Sequence, residues 1–190
     1  TEEYFYMPVF ESAAMIPPQT RREALTEVRA QLDTVSGSIL NIRVGGNDLS
    51  HAFGLRRPAN RTIYDLRPVA DILIDIVAAF GTQYVVSGPV WEYYSGEGWE
   101  EGLRREMELD LLNGFTGKTV IHPNQIPVVN EMLRVSQRDY ADARAILNWD
   151  TGSGSLVSAS EDGGRMNEYN THSRWARRIV LRAERYGVRA

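Results

Sequence analysis

Cysteine is absent from the 190-residue sequence, which excludes disulfides, thiolate zinc sites and cysteine nucleophiles and fits a cytoplasmic setting. No apolar run approaches the roughly 18 residues of a membrane-spanning helix, so no membrane partner is expected. Histidine is scarce, and His51, His122 and His172 are too scattered for a local histidine metal motif. Neither a G-x-S-x-G elbow nor an H-E-x-x-H helix occurs. An initiator Met is also missing: Thr1-Glu2-Glu3 lead straight into an aromatic stretch, without the basic region of a signal peptide. We therefore expect the natural start to lie upstream. What remains, 43% hydrophobic residues and a net charge of -4, describes an ordinary globular chain of one domain plus an appendage.

The organising stretch is Ile39-Leu40-Asn41-Ile42-Arg43-Val44-Gly45-Gly46-Asn47-Asp48, a β-branched run stopped by two glycines and an acid. A glycine pair lets the chain turn sharply off a strand end. Asn47 and Asp48 are then either rim residues or caps of the next helix. Upstream, residues 4–10 read as a buried strand that Glu11 follows at once. Helices are expected at 19–35, 67–80 and 100–113, with strands at 83–87 and 118–122. The 67–80 helix carries Val69, Ile72, Leu73, Ile76, Val77 and Phe80 at spacings of three and four. The aromatic, glycine-rich segment 91–98 reads as a site lid. A further helix carries Ile126, Val129 and Leu133, and Ser136 with Asp139 forms a capping-box signature for another ending near Asn148.

Strand and helix thus alternate four times, which argues for a parallel sheet with helices outside it. A complete (β/α)8 barrel needs about 250 residues, so the expected fold class is α/β: the C-terminal half of a TIM barrel over 1–150, then a connector and a C-terminal helical extension over 151–190. The connector is 151–164, with a short ribbon at Leu156-Val157. Thr171 is expected to cap the last helix, which holds Trp175, Ile179, Val180, Ala183 and Tyr186 inward and ends at Gly187. Residues 171–190 contain six arginines against Glu184, read as a solvated face in preference to a nucleic-acid surface. Gly117-Lys118-Thr119 imitates a phosphate-binding loop, but Leu112 stands where that motif needs its first glycine, and Thr119 opens a strand instead of a helix.

Glu11 and Asp48 are expected to converge at the C-terminal mouth of the barrel, where two hard oxygen ligands plus water suit Mg²⁺. Gly114-Phe115-Thr116-Gly117-Lys118-Thr119-Val120-Ile121-His122-Pro123-Asn124-Gln125-Ile126 resembles the G-f-x-G-K-x-x-I-H-P-x-Q-[IV] segment of the citrate lyase β-subunit and HpcH/HpaI aldolase superfamily. Glu11 and Gly46-Asn47-Asp48-Leu49 fall on that family's I-E-[ST] and G-x-x-D-L segments, so the resemblance makes Glu11 and Asp48 its ligands for Mg²⁺ or Mn²⁺. Gly164-Arg165-Met166-Asn167-Glu168 resembles its G-x-M-[VI]-D segment, whose acid in several members reaches a neighbouring subunit; Glu168 takes that position here. Ile42-Arg43-Val44-Gly45-Gly46-Asn47-Asp48, Thr62-Ile63-Tyr64-Asp65 and Ser87-Gly88-Pro89-Val90-Trp91-Glu92 look closer to the C–C bond lyase-like branch of tellurium-resistance and stress operons.

The resemblance implies a metal-assisted retro-aldol or retro-Claisen cleavage of a hydroxyacyl thioester, such as a CoA thioester, or of a 2-keto-hydroxy acid, through a stabilised enolate. His122 is a general-base candidate by type or a residue that holds its loop by hydrogen bonds. Gly46, Asn47, Arg56, Arg57 and Pro123 are the expected substrate contacts, the two arginines for a carboxylate or phosphate. Eight strands would be completed by an N-terminal segment absent from this sequence or by a second copy, and a homo-oligomer is expected. The alternative is a non-catalytic barrel homologue acting as a binding or scaffold protein.

Overall fold

The computed structural model describes residues 2–149, 157–160 and 163–189. The chain divides into two compact units, Thr1–Val129 and Asn130–Ala190, so the boundary expected at 150 falls outside the described residues, as does most of the 151–164 connector.

In the first unit, β1 (Val9–Phe10), α1 (Pro18–Thr34), β2 (Arg43–Val44), α2 (Gly46–Ala52), α3 (Arg67–Phe80), β3 (Ser87–Gly88), α4 (Trp99–Leu112) and β4 (Gly117–Lys118) alternate along the chain. The strands lie side by side in sequence order and all parallel: β1 on β2, β2 on β3 through the Ile42–Val86 bridge, β3 on β4. That is the order of a (β/α)8 barrel followed for four strands. The register places Val9, Arg43, Ser87 and Gly117 in one row of the ladder, and Glu11 two residues beyond Val9 beside Gly45.

Periodicity decides the core. Ile42 and Val44 turn to the helices and are buried with Val69, Ile72, Leu73, Ile76 and Phe80 of α3, each full burial contributing about 1.5–3 kcal/mol. Pro68 in the first turn of α3 has no N–H to lose there, and Gly81 follows the last turn. Residues 4–10 depart from the expectation of a buried strand. Only Phe10 is buried, packed on Phe80 with ring centroids 4.9 Å apart; Tyr4, Phe5, Tyr6, Met7 and Val9 are exposed, because among the described residues β1 has a strand neighbour on one edge only.

Strand 118–122 is also shorter than expected and ends at Lys118. The Thr119 N–H still reaches Gly88 O (3.0 Å), but the Ile121 N–H is taken by the Gln125 side chain at 2.9 Å. The chain then enters α5 (Gln125–Met132).

The second unit pairs α6 (Gln137–Leu147) with α7 (Tyr169–Tyr186) over Ala143, Ile146, Ala176, Ile179 and Ala183. It adds a parallel pair of β5 (Val135–Ser136) with β8 (Val188–Arg189), and an antiparallel hairpin of β6 (Val157–Ala159) with β7 (Met166–Glu168). Ser136 caps α6 as its sequence indicates, its hydroxyl accepting the Asp139 N–H. Thr171 does not cap α7. The cap position is Glu168, and Thr171 lies inside the first turn with its hydroxyl donating to Glu168 Oε2 at 3.2 Å.

Candidate functional site

The carboxyl ends of β1 and β2 are tied by a hydrogen bond from Gly45 N–H to Phe10 O (3.1 Å). Glu11 follows Phe10, and its side chain lies over Gly45: a Cβ there would overlap Glu11 Oε2 and stand 2.5 Å from Glu11 Cβ. Glycine is required at 45 by this contact. Gly46 is buried for a similar reason, since a Cβ would come within 2.6 Å of Ile63 and Pro89. It packs the turn against the end of β3 and offers no surface to a ligand.

From this turn α2 starts, with Gly45 as its cap residue and Asp48 in its first turn. Neither Asn47 nor Asp48 caps the helix with its side chain, which removes the alternative raised by the sequence. Glu11 and Asp48 are both exposed, and among the described residues neither carboxylate has a hydrogen-bond or ion-pair partner. Groups of three or more His, Asp and Glu able to enclose a metal are absent among the described residues. The donor set is therefore two acids on an open rim, which fits a hard cation that keeps several waters, as Mg²⁺ does.

Asn47 is held from behind: its Oδ1 accepts from Arg57 Nη1 at 3.3 Å. Arg57, expected as a substrate contact, is only 1% exposed. Its guanidinium pairs with Glu106 (Nε–Oε2 2.9 Å), donates to Val90 O and lies 5.1 Å over the Trp91 ring. Its two Nη groups find acceptors inside the protein and the whole side chain is shut off from solvent, so it serves the fold of the rim and not an external anion. Arg56 is the exposed member of the pair, held by Glu92 at 2.9 Å.

Behind Arg57 lies a buried charge network that the sequence reading missed. Glu106 Oε2 accepts the Ile63 N–H, and Lys118 Nζ bridges Glu106 Oε1 and Asp110 Oδ2, both at 2.8 Å. Tyr64 donates to Asp110 Oδ1 at 2.7 Å. Burial pushes the Asp110 carboxyl up, and the neighbouring Glu106 charge adds to this against the pull of Lys118. For Lys118 burial acts downward, but Asp110 and Glu106 outweigh it and hold the ammonium above its usual range. Burial, with the Asp110 charge, keeps the Tyr64 hydroxyl protonated far above neutrality. The available signal was Glu106 and Asp110 one turn apart on the same face of α4 as buried Leu103 and Met107.

His122 sits just beyond β4. Its Nδ1 accepts the Asn124 N–H at 3.2 Å, and its ring stacks on Tyr94 at 4.2 Å with 13° between planes. Gln125 clasps the 91–98 segment, donating from Nε2 to Trp91 O (2.7 Å) and Tyr93 O (2.9 Å). Pro123 is exposed between them. Glu168 belongs to the second unit, where its backbone N–H donates to His172 Nδ1 at 3.0 Å.

Over residues 1–188 the chain matches the family described as C-C bond lyase of the TIM-Barrel fold. A 74-residue stretch is 38% identical to the L-malyl-CoA/β-methylmalyl-CoA lyase of Cereibacter sphaeroides, covering 38% of this chain and 22% of that protein. The solved structure of CitE from Mycobacterium tuberculosis, in complex with magnesium, acetoacetate and coenzyme A, is similar with a TM-score of 0.58 and 25% identity, over 77% of this chain and 53% of that one. A citrate lyase from Burkholderia xenovorans LB400 shares the fold with a TM-score of 0.64 at 17% identity, over 96% of this chain and 53% of that one. The chain thus spans about half the length of these solved relatives.

Proposed function

The chain belongs to the C-C bond lyase family of the TIM-Barrel fold, and on that premise we propose that its rim takes part in Mg²⁺-dependent cleavage of a carbon–carbon bond in a hydroxyacyl thioester or 2-keto-hydroxy acid. The observation that carries this reading is the pair of exposed, unpartnered carboxylates, Glu11 and Asp48, at the carboxyl ends of adjacent parallel strands. Two acids left open to water at a barrel mouth have little to contribute to stability, and in this fold that rim is where ligands sit. A structural relative was solved with magnesium, acetoacetate and coenzyme A, and a sequence relative is a malyl-CoA lyase; both support a thioester substrate.

Mg²⁺ held by Glu11 and Asp48 would supply a Lewis acid to a carbonyl oxygen, lowering the cost of the negative charge that gathers there as the bond breaks. The chain's own residues set the geometry. The β1–β2 ladder and the absent side chain at Gly45 fix where Glu11 reaches, and Arg57 steadies the first turn of α2 through Asn47. With Nδ1 accepting from Asn124, a neutral His122 ring holds its proton on Nε2. We assign His122 to holding the 91–98 segment by its stack on Tyr94 and keep Glu168 as a candidate acid of the second unit. The exposed residues on the free edge of β1 support assembly with further strands as an oligomer.

Calorimetric titration of the full-length protein with MgCl₂ tests the reading, together with assays of hydroxyacyl thioester and 2-keto-4-hydroxy acid cleavage with and without EDTA. Asp48→Asn and Glu11→Gln should each lose Mg²⁺ uptake and cleavage while keeping the wild-type melting transition. If both bind Mg²⁺ as wild type does, the two-acid site is wrong.

A further inference from the structure

One cation on the inner face of the sheet forms no ion pair among the described residues. Ile42 and Val44 face the helices, so Arg43 between them faces the opposite side, the interior of the barrel. Its ladder row is Val9, Arg43, Ser87 and Gly117; the next row toward the carboxyl ends is Glu11, Gly45, Pro89 and Thr119. Gly117 places no side chain in the lower row, and Arg43 reaches across β3 to the upper one, donating from Nε to Thr119 Oγ1 at a long 3.4 Å. That is its only side-chain partner among the described residues, and it makes no ion pair with any of them. Beside it, Asn41 Nδ2 donates to Ser87 Oγ at 3.2 Å while Asn41 Oδ1 is buried with no donor. The inner face therefore holds unmatched polar groups of both kinds in the two rows below Glu11.

A guanidinium carries five donors in a planar fork, and its best complement is a carboxylate bound through two parallel hydrogen bonds. Arg43 is half-buried, and its two Nη groups, without a protein partner among the described residues, are open to an incoming ligand. We propose that Arg43 is the substrate-binding residue that receives a carboxylate of a short oxo or hydroxy acid, at the Thr119 end of the row whose other end is Glu11. This rests on the reading of Glu11 and Asp48 given above. Arg43 is distinct from the Arg56–Arg57 pair, one of which is interior and the other held by Glu92.

The test uses acetoacetate as probe in calorimetric titrations of the full-length protein at saturating Mg²⁺, with methyl acetoacetate as the uncharged control. Wild type takes up acetoacetate, and Arg43→Met weakens it by at least about tenfold, the value of one charge-assisted bidentate contact. Methyl acetoacetate does not distinguish the two proteins, and Mg²⁺ affinity stays within about twofold. Arg43→Lys, which keeps the charge and stem but not the fork, falls between them and serves as the reading if Arg43→Met folds poorly. Equal uptake of acetoacetate by wild type and variants, or none by wild type, overturns the assignment. If Glu11→Gln and Asp48→Asn leave Mg²⁺ uptake unchanged while Arg43→Met still loses acetoacetate, the metal reading falls and the Arg43 site stands.

Discussion

Glu11 and Gly45 share one place: the carboxylate of the first occupies the space where a side chain on the second would project. Gly45→Ala should therefore displace Glu11 from the rim. The expected result is at least about a tenfold loss of Mg²⁺ affinity by calorimetry, because one of the two proposed ligands is moved, with a melting temperature lowered by only a few degrees. Unchanged Mg²⁺ binding in Gly45→Ala would separate Glu11 from the metal.

Lys118 joins Glu106 and Asp110 where all three are shielded from water. Removing one partner leaves a buried charge uncompensated, so Lys118→Met and Glu106→Gln should each cost about 3–5 kcal/mol in urea unfolding. A loss under about 1 kcal/mol would mean that water reaches the network.

Gln125 satisfies three backbone groups from two different segments, accepting from Ile121 N–H and donating to Trp91 O and Tyr93 O. Gln125→Leu leaves all three unpaired, and each buried orphan costs about 1–3 kcal/mol. Amide exchange in 91–98 should accelerate at least tenfold. If protection there is unaltered, the segment is held by the Tyr94–His122 stack instead.

Asp139 sits below the usual carboxylate range. Burial acts against this, but the hydrogen bonds with Arg165 and Ser136 and the charges of Arg165 and Arg182 outweigh it. A depressed folded pKa contributes stability above the unfolded value of about 3.9, lost as pH falls through the lower folded value. The melting-temperature gap between wild type and Asp139→Asn should be constant from pH 5 to 7 and close below about pH 4. A gap that widens in acid would reverse the sign.

The helices were legible because their apolar spacing is strong: α3 spans the 14 residues that its stripe marks, and Ser136 and Asp139 announce the start of α6. Strand lengths were not, because they depend on partners distant in sequence. Residues 118–122 look like a strand until the Gln125 side chain downstream takes the Ile121 N–H. At the site, the glycine pair and the two acids can be seen in the sequence. Arg57 and Arg56 cannot be told apart there; only the fold shows that one meets Glu106 in the interior and the other Glu92 at the surface. Arg43 was hidden by its β-branched neighbours.

The salt bridges of Lys118 also constrain how the first unit assembles. An ammonium that gives up its hydration before Glu106 and Asp110 arrive from α4 loses several kcal/mol, roughly the cost of burying one unpaired ion, so β4 and α4 are expected to dock together. In kinetic terms, substitutions in either element should perturb the same barrier and return equal φ-values. Chain order makes this practicable: only residues 113–116, turning at Gly114, separate the two elements.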